Sequence, residues 1–306
     1  MPSTSIESQA PTGAERLHQR AASFLDSSVA ERIEALDEPR WINYSRADEV
    51  LLLLSDLLRK KHLTRMSNLL LVGDSNNGKT RLVQRFVELH GTPHVNENED
   101  PVRPIIMAEA PPSGDEKELY VSILERFWTP YRATSPMSEL RYQVIHLMRA
   151  HHVRMLIIDE VHNILSGTAA KQRQVMNCLK LMCNELHVPI VGVGTREAIS
   201  VLHTEAQHAS RFDTATLPLW ELNAEFQRLL ASFEKVLPLR KASRLHAPTM
   251  ASKLHLICGG NLGDLHRLLV ECAKDALRSG EEAITPEIVE TKKWIRPTKG
   301  IRERLI

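Results

Sequence analysis

One octapeptide specifies the architecture of this chain: Gly73-Asp74-Ser75-Asn76-Asn77-Gly78-Lys79-Thr80. It fits the pattern G-x-x-x-x-G-K-[ST], which binds phosphates where a strand passes into a helix. An apolar run at 68–72 precedes it and a helical pattern from Arg81 follows it, as that context requires. The flanking pattern disfavours the alternative, a glycine- and asparagine-rich turn that matches by chance.

The chemistry of this loop predicts a nucleotide site. Glycines let the backbone wrap a phosphate chain, with N–H groups pointing inward at the positive end of a helix dipole. We expect Lys79 to reach the β- and γ-phosphates of ATP and the Thr80 hydroxyl to bind Mg²⁺. The predicted nucleotide contacts in this segment are Gly73, Asp74, Ser75, Asn76, Asn77, Gly78, Lys79, Thr80 and Arg81.

Composition sets limits on the function. The 306 residues are 42% hydrophobic and 25% charged, as in an ordinary globular protein, and the net charge is +1. Any contact with DNA must therefore come from a local basic patch. We expect the four cysteines to be reduced and mostly buried, the fourteen histidines to hold no metal, and the chain to be cytoplasmic, with no membrane span or signal peptide.

Alternating strand-like and helical patterns predict the fold class. Five apolar segments of strand length occur at 68–72, 104–109, 154–159, 188–193 and 214–219. Their nearly continuous hydrophobicity is typical of parallel strands that are buried on both faces, and helical segments lie between them. The pattern predicts a doubly wound α/β domain with a five-stranded parallel sheet. Helical patterns then follow at 223–236, 248–258, 261–278 and 285–294.

These patterns divide the chain into five predicted segments. Residues 1–13 are expected to be disordered and 14–66 to form an N-terminal helical extension. Residues 67–220 form the α/β nucleotide-binding core, 221–290 a small α-helical lid and 291–306 a basic tail.

A second motif, Met155-Leu156-Ile157-Ile158-Asp159-Glu160, places two carboxylates after a buried strand. Ligands of open α/β sheets bind outside this carboxyl end. We expect Asp159 to bind Mg²⁺, directly or through water, and Glu160 to act as the general base on the attacking water. The alternative is a plain pair of surface carboxylates. In sequence, the strand at 104–109 intervenes between the two motifs, and the chain here resembles an AAA+ ATPase.

The AAA+ resemblance assigns three further positions. Thr195, after Gly192-Val193-Gly194, matches the sensor 1 residue that contacts the γ-phosphate or the attacking water; it also suits a helix N-cap. Arg211 in Ser210-Arg211-Phe212 matches the arginine finger that reaches the neighbouring subunit's nucleotide, the alternative being an ordinary surface arginine. At the sensor 2 position Asp264 replaces the usual arginine, and Arg267 is the candidate substitute.

The motifs together resemble the TniB family, the ATPase subunits of resistance transposons, related to TnsC and MuB. The segments that carry the likeness are Trp41-Ile42-Asn43-Tyr44-Ser45-Arg46-Ala47, LLLVGDSNNGKT, MLIIDEVHNIL, VPIVGVGT and SRF. The resemblance implies a bacterial AAA+ regulator that assembles on double-stranded DNA with ATP and engages a DDE transposase, TniA, and an adaptor, TniQ. It places Ile42 or Tyr44 at the adenine, although simple core packing explains them equally well.

The same resemblance suggests three DNA-binding loops. Lys117, Arg132, Thr134, Lys171 and Arg173 are the candidate phosphate ligands, and solvated surface charge is the alternative for each. Two competing functions remain open: a replication initiator or helicase-loader ATPase, and a nucleotide-gated scaffold with negligible hydrolysis. The lack of room for a winged-helix module disfavours an initiator, and the set Lys79, Asp159, Glu160 and Arg211 disfavours a scaffold.

Overall fold

The computed structural model describes residues 16–60, 66–132, 134–202 and 211–292. The predicted disordered segment 1–13, Ser210 and most of the predicted basic tail lie outside these residues. The strands are β1 Asn68–Gly73, β2 His94–Val95, β3 Pro101–Val102, β4 Ile105–Glu109, β5 Met155–Asp159, β6 Ile190–Gly194 and β7 Phe212–Leu217.

The helices largely follow the predicted segments. They are α1 Gln19–Ala22, α2 Val29–Asp37, α3 Ser45–Arg59, α4 Lys79–His90, α5 Glu116–Glu125, α6 Met137–Ala150, α7 Ala169–Leu186, α8 Ile199–Leu202, α9 Ala224–Val236, α10 Pro248–Cys258, α11 Leu262–Ser279 and α12 Pro286–Thr291. Short 3-10 helices cover Val161–Ser166 and Arg196–Ala198. No helix among the described residues is both long and apolar enough to cross a bilayer.

The main sheet has five parallel strands in the order β4-β5-β6-β1-β7. This confirms the predicted α/β class and the five-stranded parallel sheet. The phosphate-binding loop follows β1, and β1 pairs with β6 and β7. It does not pair with β4, although β4 is the next strand of this sheet in the sequence. The strand that separates β1 from β5 in space is therefore β6, and β4 lies at the outer edge beyond β5.

One strand differs from the prediction in position and in burial. The last strand spans Phe212–Leu217 instead of 214–219, since Phe212 and Asp213 pair with Asn68 and Leu69. Asp213, Thr214 and Thr216 are exposed, so the expectation that every strand is buried on both faces is wrong for β7. Because β7 has a neighbour on one side only, its solvent-facing positions accept polar side chains.

Each face of the sheet is covered by helices. On one face Leu70, Val72 and Ile158 share a core with apolar residues of α5, α6 and α7, such as Tyr120 and Val144. Leu69 and Leu71 of β1 are buried as well. A continuous apolar strand is stable only when both of its faces are covered, which explains the run Leu69-Leu70-Leu71-Val72.

The described residues form two compact units. Residues 45–218, the sheet unit, contain all seven strands, whereas residues 16–44 and 219–292 form the helical unit. The core of the helical unit brings Leu36 of α2 together with Phe226, Leu254 and Leu268 of α9, α10 and α11. The predicted 14–66 extension is thus divided: its part up to Tyr44 packs with the C-terminal helices, and α3 belongs to the sheet unit.

Candidate functional site

The phosphate-binding loop lies between β1 and α4, as the octapeptide predicts. β1 ends at Gly73 and α4 begins at Lys79. Gly78 has φ +83°, a left-handed conformation that glycine adopts without steric cost. A side chain at Gly73 would bring its Cβ 2.8 Å from the carbonyl oxygen of Leu217. The loop therefore needs both glycines, one for its turn and one for its closeness to β7.

Two side chains of the loop are buried and donate hydrogen bonds to backbone carbonyl oxygens. The Lys79 ammonium donates to the carbonyl oxygens of Gly73 at 3.0 Å and Asp74 at 2.8 Å, which holds it across the loop. The amide nitrogen of Asn77 donates to the carbonyl oxygens of Leu217 and Pro218, each at 3.1 Å. Asn77 thus ties the loop to the end of β7.

The charge of Lys79 depends on nearby carboxylates. Burial lowers the pKa of its ammonium, and the negative charges of Glu160, Asp159, Asp74 and Glu197 act in the opposite direction. Four carboxylates therefore lie close enough to influence this lysine. Their negative charge offsets part of the cost of burying the positive ammonium, which is the form that binds phosphate.

The remaining loop residues are more accessible. Ser75 and Asn76 are exposed, and Asn76 has φ +60°. Thr80 is half-buried in the first turn of α4. Arg81 donates from Nη1 to Glu88 Oε1 at 2.7 Å along the same helix. Their predicted nucleotide and Mg²⁺ contacts stay predictions.

Asp159 is the last residue of β5 and Glu160 follows it. Both lie at the same edge of the sheet as the phosphate-binding loop, because β5 and β1 run in the same direction. Asp159 is buried, and its Oδ1 accepts a 2.8 Å hydrogen bond from the backbone N–H of Glu160. Glu160 has φ +52° and precedes the 3-10 helix Val161–Ser166, and its side chain is 43% exposed. An acidic residue held in the left-handed region is uncommon and concentrates at functional sites.

Thr195 follows β6, the strand between the loop and the carboxylates. Gly194 pairs with Val72 of β1, and Gly192 pairs with Ile158 of β5. The Thr195 hydroxyl donates to Glu197, and this hydrogen bond is the main cause of the lowered pKa of Glu197. The structure thus brings Lys79, Asp159, Glu160 and Thr195 to one edge of the sheet.

Two residues of this edge were missed at the sequence level. Glu197 affects the charge of Lys79, and Nδ1 of His162 lies 3.2 Å from Oε2 of Glu160. The only sequence signal for them is their place within three residues of a strand end that carries a site residue.

Arg211 lies elsewhere in the sheet unit. It precedes β7, its carbonyl oxygen accepts from Asn68 N at 2.9 Å, and its Nη1 donates to Asn184 Oδ1 at 2.8 Å. Asn68 is the first residue of β1, so Arg211 stands at the end of the sheet opposite the phosphate-binding loop. The structure does not bring it to the other predicted catalytic residues of its own chain.

Ile42, Tyr44 and Arg267 belong to the helical unit. Ile42 and Tyr44 are partly buried against its core, and the Tyr44 ring meets Trp220 edge-to-face at 5.3 Å. Burial raises the pKa of Tyr44 to about 12. Asp264, at the sensor 2 position, is fully buried, whereas Arg267 is partly exposed. Their predicted roles at the nucleotide stay predictions.

Two of the three segments expected to be DNA-binding loops are instead helical at the candidate residues: Lys117 lies in the first turn of α5, and Lys171 and Arg173 lie near the start of α7. Lys171 Nζ lies 3.1 Å from Oδ2 of Asp115, the N-cap of the helix that contains Lys117. Arg173 is exposed in the same helix as Lys171.

The third loop lies apart from these two. Arg132 and Thr134 are exposed beyond the far end of α5, a helix whose ten residues span about 15 Å. The five candidates thus form two separate groups, and their role at DNA stays a prediction.

The donor set of this edge fits Mg²⁺ and a nucleotide. Across 16–60, 66–132, 134–202 and 211–292, no cluster of three or more His, Cys, Asp or Glu side chains is placed to hold a metal. Mg²⁺ needs none, because it binds one or two protein oxygens together with substrate phosphates and water. Thr80 and Asp159 supply such oxygens, and Lys79 supplies the cation that phosphates require.

Comparisons with known proteins agree with this geometry. A family model described as "Bacterial TniB protein" matches residues 32–222. No protein with a curated description matches the chain in sequence.

Three solved structures illustrate the fold similarity. Aeropyrum pernix ORC2 is 15% identical with a TM-score of 0.58, and the match covers 84% of this chain and 70% of that one. Pyrobaculum aerophilum Cdc6p is 15% identical with a TM-score of 0.60 over 83% and 69% of the two chains. Aeropyrum pernix ORC1, solved in complex with DNA, is 18% identical with a TM-score of 0.58 over 80% and 63%. These similarities confirm the predicted AAA+ fold.

Proposed function

Because the chain belongs to the TniB family, we propose that it is an ATPase that regulates transposition, binding double-stranded DNA as a homo-oligomer. The family match confirms the resemblance that the motifs indicated. The proposal extends it to activity: this protein binds and hydrolyses ATP in the bacterial cytoplasm, and its assembly on DNA recruits or activates a DDE transposase.

One observation carries the ATPase proposal, namely the order of three adjacent strands. Because β1, β6 and β5 lie side by side, the loop with Lys79, the Thr195 position and the pair Asp159–Glu160 meet at one carboxyl edge. Neighbouring strands are about 4.8 Å apart, so β1 and β5 are separated by about 10 Å. A triphosphate that starts in the loop can therefore extend to the carboxylates.

The side chains then have distinct tasks. Lys79 and the backbone N–H groups of the loop hold the phosphates, while Glu160 accepts a proton from the attacking water. Thr195 orients that water or the γ-phosphate. Thr80 and Asp159 would hold Mg²⁺, which would supply positive charge beside the phosphates. Arg211 acts on the nucleotide of the neighbouring subunit.

We assign DNA binding to five polar and basic residues of the sheet unit that are exposed or partly exposed. Lys117, Lys171 and Arg173 form one group and Arg132 with Thr134 another. With a net charge of +1, each subunit would supply few phosphate contacts, and affinity would come from assembly along the duplex. TniA and TniQ are the proposed protein partners, by family resemblance.

A replication initiator or loader is the alternative. The similar Orc and Cdc6 structures share the fold at 15–18% identity, which does not distinguish the two functions. The TniB family match favours transposition.

The test is ATP turnover by Glu160→Gln. Removing the base should lower turnover by about 10²-fold or more while nucleotide binding persists. DNA complexes formed with ATP should then last longer, which a filter-binding assay with ATP, ADP and no nucleotide measures. Equal turnover by variant and parent would remove Glu160 from the mechanism, and tight binding of DNA by a monomer without nucleotide would contradict the proposed assembly.

A further inference from the structure

His162 stands next to the proposed general base without belonging to the predicted site. It occupies the first turn of the 3-10 helix Val161–Ser166, two residues after Glu160. Its Nδ1 lies 3.2 Å from Oε2 of Glu160, within reach of a hydrogen bond. The same Nδ1 is buried and lacks an aligned hydrogen bond in the described structure. A hydrogen bond between Nδ1 and a nearby acceptor would stabilise the fold, because a buried polar atom without a partner costs free energy.

The backbone of His162 is held by packing at the end of β6. A Cβ on Gly194 would lie 3.1 Å from Val161 Cγ1, 3.3 Å from Ala198 Cβ and 3.3 Å from the backbone nitrogen of His162. Any larger residue at 194 would push this turn away. The backbone of His162 is therefore placed by the close approach of a strand end.

The side chain of Glu160 is more exposed than that of His162, at 43% against 30%, and has one more rotatable bond. Its backbone is constrained, because Glu160 N–H donates to Asp159 and Glu160 O accepts from Asn163 N at 2.8 Å. Its side chain is 43% exposed and has three rotatable bonds. A general base must hold its oxygen within hydrogen-bond reach of the water, so this freedom has to be reduced.

His162 also connects Glu160 to the Thr195 position. His162 is one of the groups that lower the pKa of Glu197, the carboxylate that accepts a hydrogen bond from the Thr195 hydroxyl. The negative charges of Glu160 and Glu197 also act to raise the pKa of Lys79. The imidazole thus contacts the carboxylate that follows β5 and influences the carboxylate that follows β6.

We propose that His162 is a positioning residue for Glu160, with Nδ1–H donating to Oε2 and orienting the carboxylate toward the attacking water. This inference rests on the proposed ATPase function. The neutral ring suffices, in the tautomer that carries its proton on Nδ1. His162 needs no contact with nucleotide, metal or water, and its effect passes through Glu160.

Three substitutions separate this role from simple packing. His162→Ala removes the donor. His162→Asn keeps an amide nitrogen near the place of Nδ1, and His162→Gln moves that nitrogen toward the place of Nε2. His146→Ala is the matched control, because His146 is exposed on α6 and stacks on Tyr142.

The measurement is steady-state ATP hydrolysis by the full chain with Mg²⁺ and duplex DNA, together with affinity for a fluorescent, non-hydrolysable ATP analogue. His162→Ala should lower kcat by about 10- to 100-fold, with KM and analogue affinity nearly unchanged. Asn should restore most of kcat and Gln little. Equal rescue by Asn and Gln, or a loss of affinity in step with kcat, would assign His162 a structural role.

A double-variant cycle supplies the decisive comparison. In the Glu160→Gln background, His162→Ala should cause no further loss, because the group that it positions has gone. An equal fractional loss in both backgrounds would overturn the inference. If the parent hydrolyses ATP, Glu160→Gln abolishes turnover and His162→Ala retains full kcat, the inference fails and the ATPase function stands. If the parent itself shows no turnover, both fail.

Discussion

The backbone N–H of Asn68 donates a 2.9 Å hydrogen bond to the carbonyl oxygen of Arg211. Asn68 begins β1 and Gly73 ends it, so the two ends of this strand are about 17 Å apart. An arginine side chain does not span that distance. If Arg211 acts on a nucleotide, that nucleotide is therefore bound by the loop of another subunit.

Mixing two inactive variants tests this relationship. Arg211→Ala should bind ATP with parental affinity yet lose turnover by about 10³-fold, as expected for a missing finger. Adding Lys79→Ala protein should restore part of the activity, because mixed interfaces pair an intact loop with an intact Arg211. Asn184→Ala is the control, since it removes only the 2.8 Å hydrogen bond to Arg211 and should leave turnover near the parental rate. No recovery at any mixing ratio would make Arg211 a structural residue.

Salt dependence should distinguish Lys171, which forms an ion pair with Asp115, from Arg173 in the same helix. Lys171 already pairs with Asp115 at 3.1 Å, and that lysine helps to lower the pKa of Asp115. Arg173→Ala should reduce the slope of log affinity against log salt by about 1, and Lys171→Ala by less. Asp115→Asn should strengthen DNA binding, because it releases Lys171. The measurement is a filter-binding titration with ATP across salt concentrations.

Two further variants complete that experiment. Arg132→Ala, in the separate loop, should weaken binding equally on different DNA sequences. Arg228→Ala, whose side chain is 71% exposed in the helical unit, is the control and should change nothing. A loss with Arg228→Ala equal to that with Arg173→Ala would mean that general charge, and not these loops, governs binding.

A buried ion pair should make the helical unit sensitive to acid. Arg32 is 1% exposed and donates to both carboxylate oxygens of Glu282, at 2.8 and 2.6 Å, and to the carbonyl oxygen of Pro238. Hydrogen bonds from Arg32 are the main cause of the lowered pKa of Glu282. The resulting stability is fully present above the unfolded pKa of about 4.5 and is lost as the pH falls through the lower folded pKa.

Glu282→Gln should therefore lower the free energy of unfolding at pH 7 by about 3 kcal/mol. Urea denaturation should show this deficit shrinking as the pH falls below 4.5, the ordinary value of the group. Glu38→Gln, which breaks the exposed Arg20–Glu38 pair, should cost about 0–1 kcal/mol. Equal effects of the two variants would show that the burial of Arg32 adds nothing.

Two glycines with the same backbone conformation should respond differently to alanine. Gly260 and Gly280 have φ of +75° and +74°, so either alanine carries the strain of the left-handed region. A Cβ on Gly260 would lie 2.2 Å from the carbonyl oxygen of Trp220, whereas one on Gly280 would meet nothing within 4 Å. We expect Gly280→Ala to cost about 1 kcal/mol and Gly260→Ala at least about 3 kcal/mol of unfolding free energy. Similar thermal unfolding midpoints for the two would contradict this.

The local signals of the sequence were sufficient for the fold class and the phosphate-binding loop. Residues 73–80 combine glycines, a lysine and a threonine between an apolar strand and a helix, and each of these preferences acts over a few residues. The same holds for Asp159 and Glu160 after an apolar strand. Such short-range patterns do not depend on which strands pair with each other, which is why the sequence alone predicts them.

Only the tertiary structure decided which of these segments meet. The order β4-β5-β6-β1-β7 makes β6 the neighbour of β1 and leaves β7 at an edge, because strand pairing depends on packing between residues far apart in sequence. That order brings His162 and Glu197 to the site, whereas Arg211 lies at the opposite end of the sheet because it precedes β7, which runs parallel to β1. The grouping of residues 16–44 with 219–292 has the same origin, since the core they share forms only when both ends of the chain are folded.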